Sequence, residues 1–451
     1  MAFAFLSFPS SARPEETPTL KLLQDLIRID TSNPPGNETA AARYVHDVLK
    51  KDGIDSVIIE SAPGRGNLIA RLKGDGKKPA MILLGHLDVV PAQASEWSMP
   101  PFGAEIKDGQ LWGRGALDMK SLVAMEIQTL IRLKRENAKL DGDVILVLVA
   151  DEEAGGEKGA EFLVDNHWDK LDAKYLLNEG SVGVHKMGLH LFPIQTAEKG
   201  VTWFKMTARG QSGHGSMPSP DNAVLKLVEA VETVSTHTFP MVPTPVLKEF
   251  LTRIGEKLPW WKRCGIKLLF TPVIGPVARH FAAKALAGEK AVRAIVSNTV
   301  SPTMLSAGYK VNVIPAEATA QMDARILPGE TPEGFLEEIR DLVDDDIDVD
   351  LITGSLPNST DFNTDFFRTI EYAVKKADPE AVTAPMISAG ATDSRFFREK
   401  GVICYGLIPL LLNSAQVEGL HGKNERIPVD WVEKGTEVVY DIVVAMEGQR
   451  P

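Results

Sequence analysis

Seven consecutive apolar residues, Val144-Ile145-Leu146-Val147-Leu148-Val149-Ala150, run directly into Asp151-Glu152-Glu153. A β-branched stretch with no polar alternation is apolar on both faces, so it reads as a central strand covered by helices above and below. That requirement commits the chain to an α/β sheet and puts two adjacent glutamates at a buried strand tip. Like charges held so close are costly unless a cation neutralises one or a proton is taken up, and Gly155-Gly156 allows the tight backbone the tip needs. The bland alternative is a surface charge cluster, which the apolar strand before it argues against.

A second run, Ala80-Met81-Ile82-Leu83-Leu84, stops at Gly85 and delivers His86-Leu87-Asp88. In open α/β sheets ligands collect beyond the carboxyl ends of strands, so an imidazole and a carboxylate there are placed for chemistry. His86 can bind a metal through one ring nitrogen while a neighbouring acid holds the other. Alone, such a His is more often a hydrogen-bonded structural residue. A third tip is predicted at Tyr175-Leu176-Leu177-Asn178-Glu179, and Asp118 stands just ahead of a helical run from Met119 to Lys134, where it could equally be an N-cap. His86, Asp118, Glu153 and Glu179 together offer imidazole and carboxylate without thiolate, the set expected of a catalytic zinc or related divalent ion. The two cysteines, Cys264 and Cys404, are not spaced for a thiolate site or a disulfide scaffold. His46, His167, His185 and His190 have no comparable placement.

Beyond Gly200 the pattern changes. A strand (201–209), a Gly-rich loop bearing His214, a helix (222–237), strands at 304–314 and 316–326 flanking Pro315, a helix (332–342) and a strand (349–352) give the β-α-β-β-α-β order of a ferredoxin-like α+β unit. We expect a catalytic domain in two parts, 1–198 and 356–451, interrupted by this small domain at 199–355. Within it, residues 240–298 exceed ordinary loop lengths and should form helices of their own or cover a binding site; their apolar content is either plain core or a lid or oligomer contact around a hydrophobic substrate. A helix from 363 to 376 leads back to the first domain, followed by the loop 388–395, a strand at 402–407, and His421 in a glycine-bearing turn.

With a formal net charge of −12 the chain is unsuited to non-specific nucleic-acid binding. No apolar run reaches the length of a membrane span, so the chain is not integral to a membrane. The apolar segment Ala2 to Phe8 followed by small residues reads as the tail of a secretory signal lacking its basic region, which favours an exported, periplasmic or secreted protein over a cytoplasmic one. The alternative is a docked terminal arm.

Six ordered motifs then carry a resemblance: G-H-L-D-V-V-P (85–91), G-R-G-A-L-D-M-K (113–120), D-E-E (151–153), N-E-G (178–180), G-H-G-S-M-P (213–218) and H-G-K-N-E (421–425). The chain resembles the dinuclear zinc amidohydrolases and peptidases that include glutamate carboxypeptidase, aminoacylase, acetylornithine deacetylase, succinyl-diaminopimelate desuccinylase and carboxypeptidase S. The resemblance implies a zinc-peptidase-like catalytic domain with a central mixed sheet and two Zn2+ ions, with Co2+ or Mn2+ as substitutes. It implies that His86, Asp118 and Glu179 hold one ion and Asp118, Glu153 and His421 the other. Glu152 would be the general base and Asp88 the acid behind His86. His214 would help polarise the substrate carbonyl, in many members from the second subunit of a homodimer. Asn312, Arg325 and Gly390 resemble the residues that grip a substrate carboxylate. The implied substrate is an N-acyl amino acid or a short peptide cut beside a free carboxylate; a dipeptidase or aminopeptidase is the nearest alternative, and a metal-stabilised binding protein without turnover the remoter one. The insertion at 240–298 departs from compact members toward the carboxypeptidase S branch.

Overall fold

The computed structural model describes residues 17–186, 188–285, 288 and 290–448; the N-terminal signal-like segment lies outside them. The chain first lays down β1 (Ser56–Ala62), β2 (Arg65–Leu72), β3 (Met81–His86), β4 (Val144–Val149), β5 (Tyr175–Lys186) and β6 (Leu189–Glu198). It then builds a separate sheet from β7 (Gly200–Arg209), β8 (Thr299–Ala307), β9 (Glu317–Ile326) and β10 (Ile347–Gly354), and returns with β11 (Ala381–Ser388) and β12 (Ile403–Leu412).

The large sheet has nine strands in the order β1-β2-β4-β3-β5-β12-β6, with Asn358–Ser359 and β11 both paired to β6. At its centre β4, β3, β5 and β12 are mutually parallel, while β2 joins β4 antiparallel. Every residue of β3 and β4 is buried. Their side chains alternate between two cores, as the strand period demands. Leu83, Leu146 and Leu148 face the helices Pro18–Arg28, Lys120–Arg135 and Asp430–Met446. Ile82, Leu84, Ile145 and Val147 face Ala160–Asn166 and Ser394–Glu399. Gly85 is fixed by packing: a Cβ there would meet Val123 Cγ2 at 2.7 Å, so the glycine lets the helix carrying Val123 approach the strand that ends in His86.

The small sheet is antiparallel throughout, ordered β8-β9-β7-β10, with the helices Ala223–Thr236 and Pro332–Leu342 over one face. That is the ferredoxin-like arrangement anticipated from element order. One element differs from expectation. The stretch 304–314 is not one strand: Gly308, at φ +68°, turns the chain out of the sheet, and Val313–Ile314 pairs instead with Gly213–His214. Residues 240–298 form the helices Pro245–Glu256, Trp260–Leu269, Gly275–Ala285 and Lys290–Val296. Among the described residues, no helix is long and apolar enough to cross a membrane.

Candidate metal centre

Three neighbouring parallel strands bring their donors to one end of the large sheet. His86 closes β3, and Glu152 and Glu153 follow β4 in a single 3-10 turn. Glu179 arrives differently from expectation. It is not at a strand tip, since β5 continues to Lys186; instead the pairing with β12 slips between Gly406 and Ile408, and Gly180 adopts φ +144°. A bulge re-aims one side chain without ending the strand. Asp118 precedes the helix Lys120–Arg135 but does not cap it, and the Asp118–Met119 peptide is cis.

Asp118 stands between the two histidines. Its Oδ1 lies 3.1 Å from His86 Nε2 and its Oδ2 2.9 Å from His421 Nε2. Glu179 Oε2 lies 3.7 Å from His86 Nε2, and Glu153 Oε2 3.2 Å from His421 Nε2. Asp118 thus meets both histidines, one through each carboxylate oxygen, and donor atoms of His86, Asp118 and Glu153 lie within 4.8 Å of one another. Glu152 also reaches this cluster, with donor atoms of His86, Glu152 and Glu179 all within 4.8 Å of one another. His421 is held at φ +54°, a left-handed conformation uncommon outside glycine.

Asp88 has more work than orienting an imidazole. His86 Nδ1 is 2.9 Å from its backbone carbonyl and 3.4 Å from its Oδ1. The same carboxylate accepts the backbone N–H groups of Glu152 (3.2 Å) and Glu153 (3.1 Å) and the amide of Asn33 (2.8 Å), so one buried acid sets both strand tips.

The electrostatics fit a cation-binding cluster. Burial, and then the charge of Asp118, push Glu179 up to about 8. Burial, with Glu179 beside it, raises Glu152 well above the carboxylate range. For Asp118 burial acts upward too, but the hydrogen bonds from His421 and His86 outweigh it and hold the carboxyl well below its ordinary value. Contact with Asp118 and then Glu153 carries the His421 imidazole up to about 10. Glu153 Oε1 is buried with no hydrogen-bond partner among the described residues. Four carboxylates against two imidazoles, with an unpartnered buried oxygen among them, are an unbalanced set of acceptors that divalent cations would complete.

The other sequence-predicted residues lie elsewhere. His214 and Asn312 are exposed and adjacent: Gly215 N–H donates to the Asn312 carbonyl at 2.9 Å, beside the two-residue pairing of Gly213–His214 with Val313–Ile314. Arg325, on β9, makes a bidentate pair with Asp323 at 2.7 and 3.1 Å. Gly390 is exposed in the loop after β11. Among the described residues no hydrogen bond or ion pair joins any of these four to the metal cluster.

Two supporting residues escaped the sequence reading. Glu425 is fully buried and accepts from Arg114 Nη1 (2.7 Å) and from the backbone N–H groups of Gly115 (3.1 Å), Leu117 (2.6 Å) and Asp118 (3.1 Å), which shapes the loop presenting Asp118. Its place in the H-G-K-N-E motif was the available signal. Asp393 is buried, its Oδ2 has no partner among the described residues, and burial lifts it to about 7. Its loop is tied to the Glu179 strand by Asn178 Nδ2, 3.0 Å from Ser394 Oγ.

Comparison with known proteins fits this centre. The family model described as "Peptidase family M20/M25/M40" matches residues 82–445. The chain belongs to the M20/M25/M40 peptidase family. It is 27% identical over 440 residues to the N-fatty-acyl-amino acid synthase/hydrolase PM20D1 of Xenopus tropicalis, covering 94% of this chain and 84% of the relative. It is 25% identical over 441 residues to rat (Rattus norvegicus) aminoacylase-1B, covering 96% of each. Among solved structures, the M20 family metallo-carboxypeptidase Sso-CP2 of Sulfolobus solfataricus shares the fold, with a TM-score of 0.71 at 19% identity over 96% of this chain and all of that one. As a family member with this donor set, the chain is a metal-dependent hydrolase.

Proposed function

We propose that this chain hydrolyses the amide bond joining an acyl group to an amino acid with a free carboxylate, using two Zn2+ ions, with Co2+ or Mn2+ as substitutes. The observation that carries the reading is the split between two adjacent carboxylates: Glu153 turns to His421 and Asp118, while Glu152 remains beside them, its proton affinity raised by burial. His86, Asp118 and Glu179 would hold one ion and Asp118, Glu153 and His421 the other. Ions held there would supply the Lewis acidity that makes water nucleophilic near neutral pH. Glu152 accepts the proton of the attacking water and delivers it to the leaving amine, a task that suits a carboxyl shifted toward neutrality. Asp88 keeps His86 and the Glu152-Glu153 turn in register.

Arg325, Asn312 and Gly390 bind the substrate carboxylate, and His214 polarises the scissile carbonyl. The exposed position of His214 suits a role in the site of a second subunit, and we assign the active form as a homodimer. A relative named for N-fatty-acyl amino acids and a neighbour named a carboxypeptidase both take, by name, substrates whose amine-side residue already bears a free carboxylate, which supports this substrate class over peptides read by their free amine. The test is amine release from N-acyl amino acids of increasing acyl length, from their carboxamides and from dipeptides, with zinc added or chelated. Turnover of the free acids, lost on amidation and on chelation, is the expected result. Equal turnover of acids and carboxamides would instead favour a dipeptidase or aminopeptidase.

A further inference from the structure

We propose that the helical insertion at 240–298 docks the enzyme on an anionic phospholipid surface, a role that goes beyond hydrolysis and does not depend on which amide is cut. The insertion has an accounted inner face and an unaccounted outer one. On the inner side, Val246 packs with Ile387 of β11, and Leu247 and Val296 form a small core with Leu269, Phe270 and Ala282. Arg253 pairs with Glu371, which fastens the unit to the helix Asp365–Ala377. The anchoring strand, β11, ends at Ser388 and leads into the loop carrying Gly390 and Asp393.

On the outer side, the helix Trp260–Leu269 buries none of its residues. Trp260 is 77% exposed, and Trp261 and Leu268 are exposed as well. On the helix Gly275–Ala285 and the residues before it, Val273, Val277 and Phe281 recur every four positions, all exposed, with Phe281 at 66%. Val277 and Phe281, one turn apart, share a face of the helix, and Val273 is exposed in the turn before it. Large apolar side chains left exposed on two helices in contact with each other mark an interaction site.

Charge decides what occupies it. The whole chain carries −12, yet from Lys257 to Lys284 there are six Lys and Arg and no Asp or Glu. Among the described residues, Lys257, Lys262, Arg263, Lys267 and Lys284 make no ion pair; Lys262 instead lies over the Trp261 ring at 5.3 Å. A second copy of this chain is the weaker occupant, because a two-fold contact sets a patch against itself and would oppose these cations to one another. An anionic bilayer meets both features: indole rings prefer the headgroup level, and basic residues beside them draw on the negative surface potential.

Flotation of the purified full chain with vesicles tests this, using phosphatidylcholine alone and phosphatidylcholine mixed with phosphatidylglycerol. The chain is expected to float with the anionic vesicles, to stay behind with the zwitterionic ones, and to be released as salt rises. Reversing Lys262, Arg263 and Lys267 to Glu should lower anionic-vesicle binding by roughly a hundredfold or more, since each cation near such a surface contributes about a fivefold factor. Trp260→Ser with Trp261→Ser should abolish binding while turnover of a short-chain, water-soluble substrate and the thermal midpoint stay as in the parent. No flotation of the parent chain on anionic vesicles overturns the proposal. So does a fall in sedimentation mass in the Trp variant without vesicle binding by the parent, which would make the patch a subunit contact. Amide hydrolysis is read separately, so either failure leaves the proposed reaction standing.

Discussion

The two ends of the active region are built by opposite means. The metal cluster hangs on β3, β4 and β5, whose apolar residues are packed on both faces, and a web of buried acceptors fixes its loops: Asp88 under the Glu152-Glu153 turn, Glu425 under Asp118. The proposed substrate end, His214 and Asn312, sits at an exposed two-residue pairing beside the small sheet. A rigid sheet can hold several donors within a metal's tolerance before anything binds, whereas groups that grip a variable substrate can be completed later by closure or by a second subunit. Variants in the two regions should therefore fail in different ways.

The largest effect is expected at Glu152. Glu152→Gln keeps shape and should keep the metal, while kcat falls by at least roughly a hundredfold and KM changes little, because the lost proton transfer acts in the transition state. Glu153→Gln should instead lower metal stoichiometry by elemental analysis. Loss of metal in Glu152→Gln and retention in Glu153→Gln would exchange the two roles.

Next is Glu425. Its removal leaves Arg114 charged and buried without its carboxylate and frees the backbone that shapes the Asp118 loop. Breaking a buried pair from one side costs about 3 to 5 kcal/mol, so Glu425→Ala should unfold at clearly lower denaturant and bind metal more weakly. An exposed substitution such as His214→Ala should leave the unfolding midpoint within experimental scatter. Equal destabilisation of both would erase the contrast between the two ends.

The rigid end was legible in sequence for a physical reason. Its donors sit where long apolar runs stop, and a fully buried strand has a compositional signature that survives without tertiary information. Glu179 was found by that logic but misplaced, because a bulge inside a continuing strand leaves no break in hydropathy. The strands β6 and β11 were missed altogether: each carries a proline, Pro193 and Pro385, which argues against a strand from sequence although the two strands pair in parallel here. Asp393 and Glu425 could not be assigned roles, since a buried acid is recognised by its partners, and those lie far away in the chain. Likewise, a turn at Gly308 rather than one long strand decides that Asn312 meets His214.

Glu126 gives the rigid end a pH signature. It is fully buried on the helix behind Gly85, neither carboxylate oxygen has a partner among the described residues, and burial raises it well above the ordinary carboxyl value of 4.5. The folded chain thus holds a proton that the unfolded chain releases above about that pH. Its stabilising contribution is complete at lower pH and declines as pH rises toward the folded value, by at most about 1.4 kcal/mol per pH unit. Glu126→Gln cannot titrate, so its stability relative to the parent should climb with pH in denaturant titrations. Parallel pH profiles for the two chains would show that Glu126 is ionised in the fold.

The smallest signal bears most directly on the exposed end. If His214 serves the other subunit's metal cluster, His214→Ala and Glu152→Gln disable different halves of each composite site. Each variant alone should be nearly inactive, the first because a lost oxyanion donor typically costs 10²- to 10³-fold. Co-expressed in equal amounts, they should assort so that about half of the dimers are mixed, each with one site made of an intact Glu152 and a His214 from its partner. About a quarter of the parental kcat should return, with the parental KM. If His214 instead served its own subunit, every site in the mixed dimer would lack one group or the other. Activity would then stay at the level of the single variants, and both ends of the site would belong to one chain.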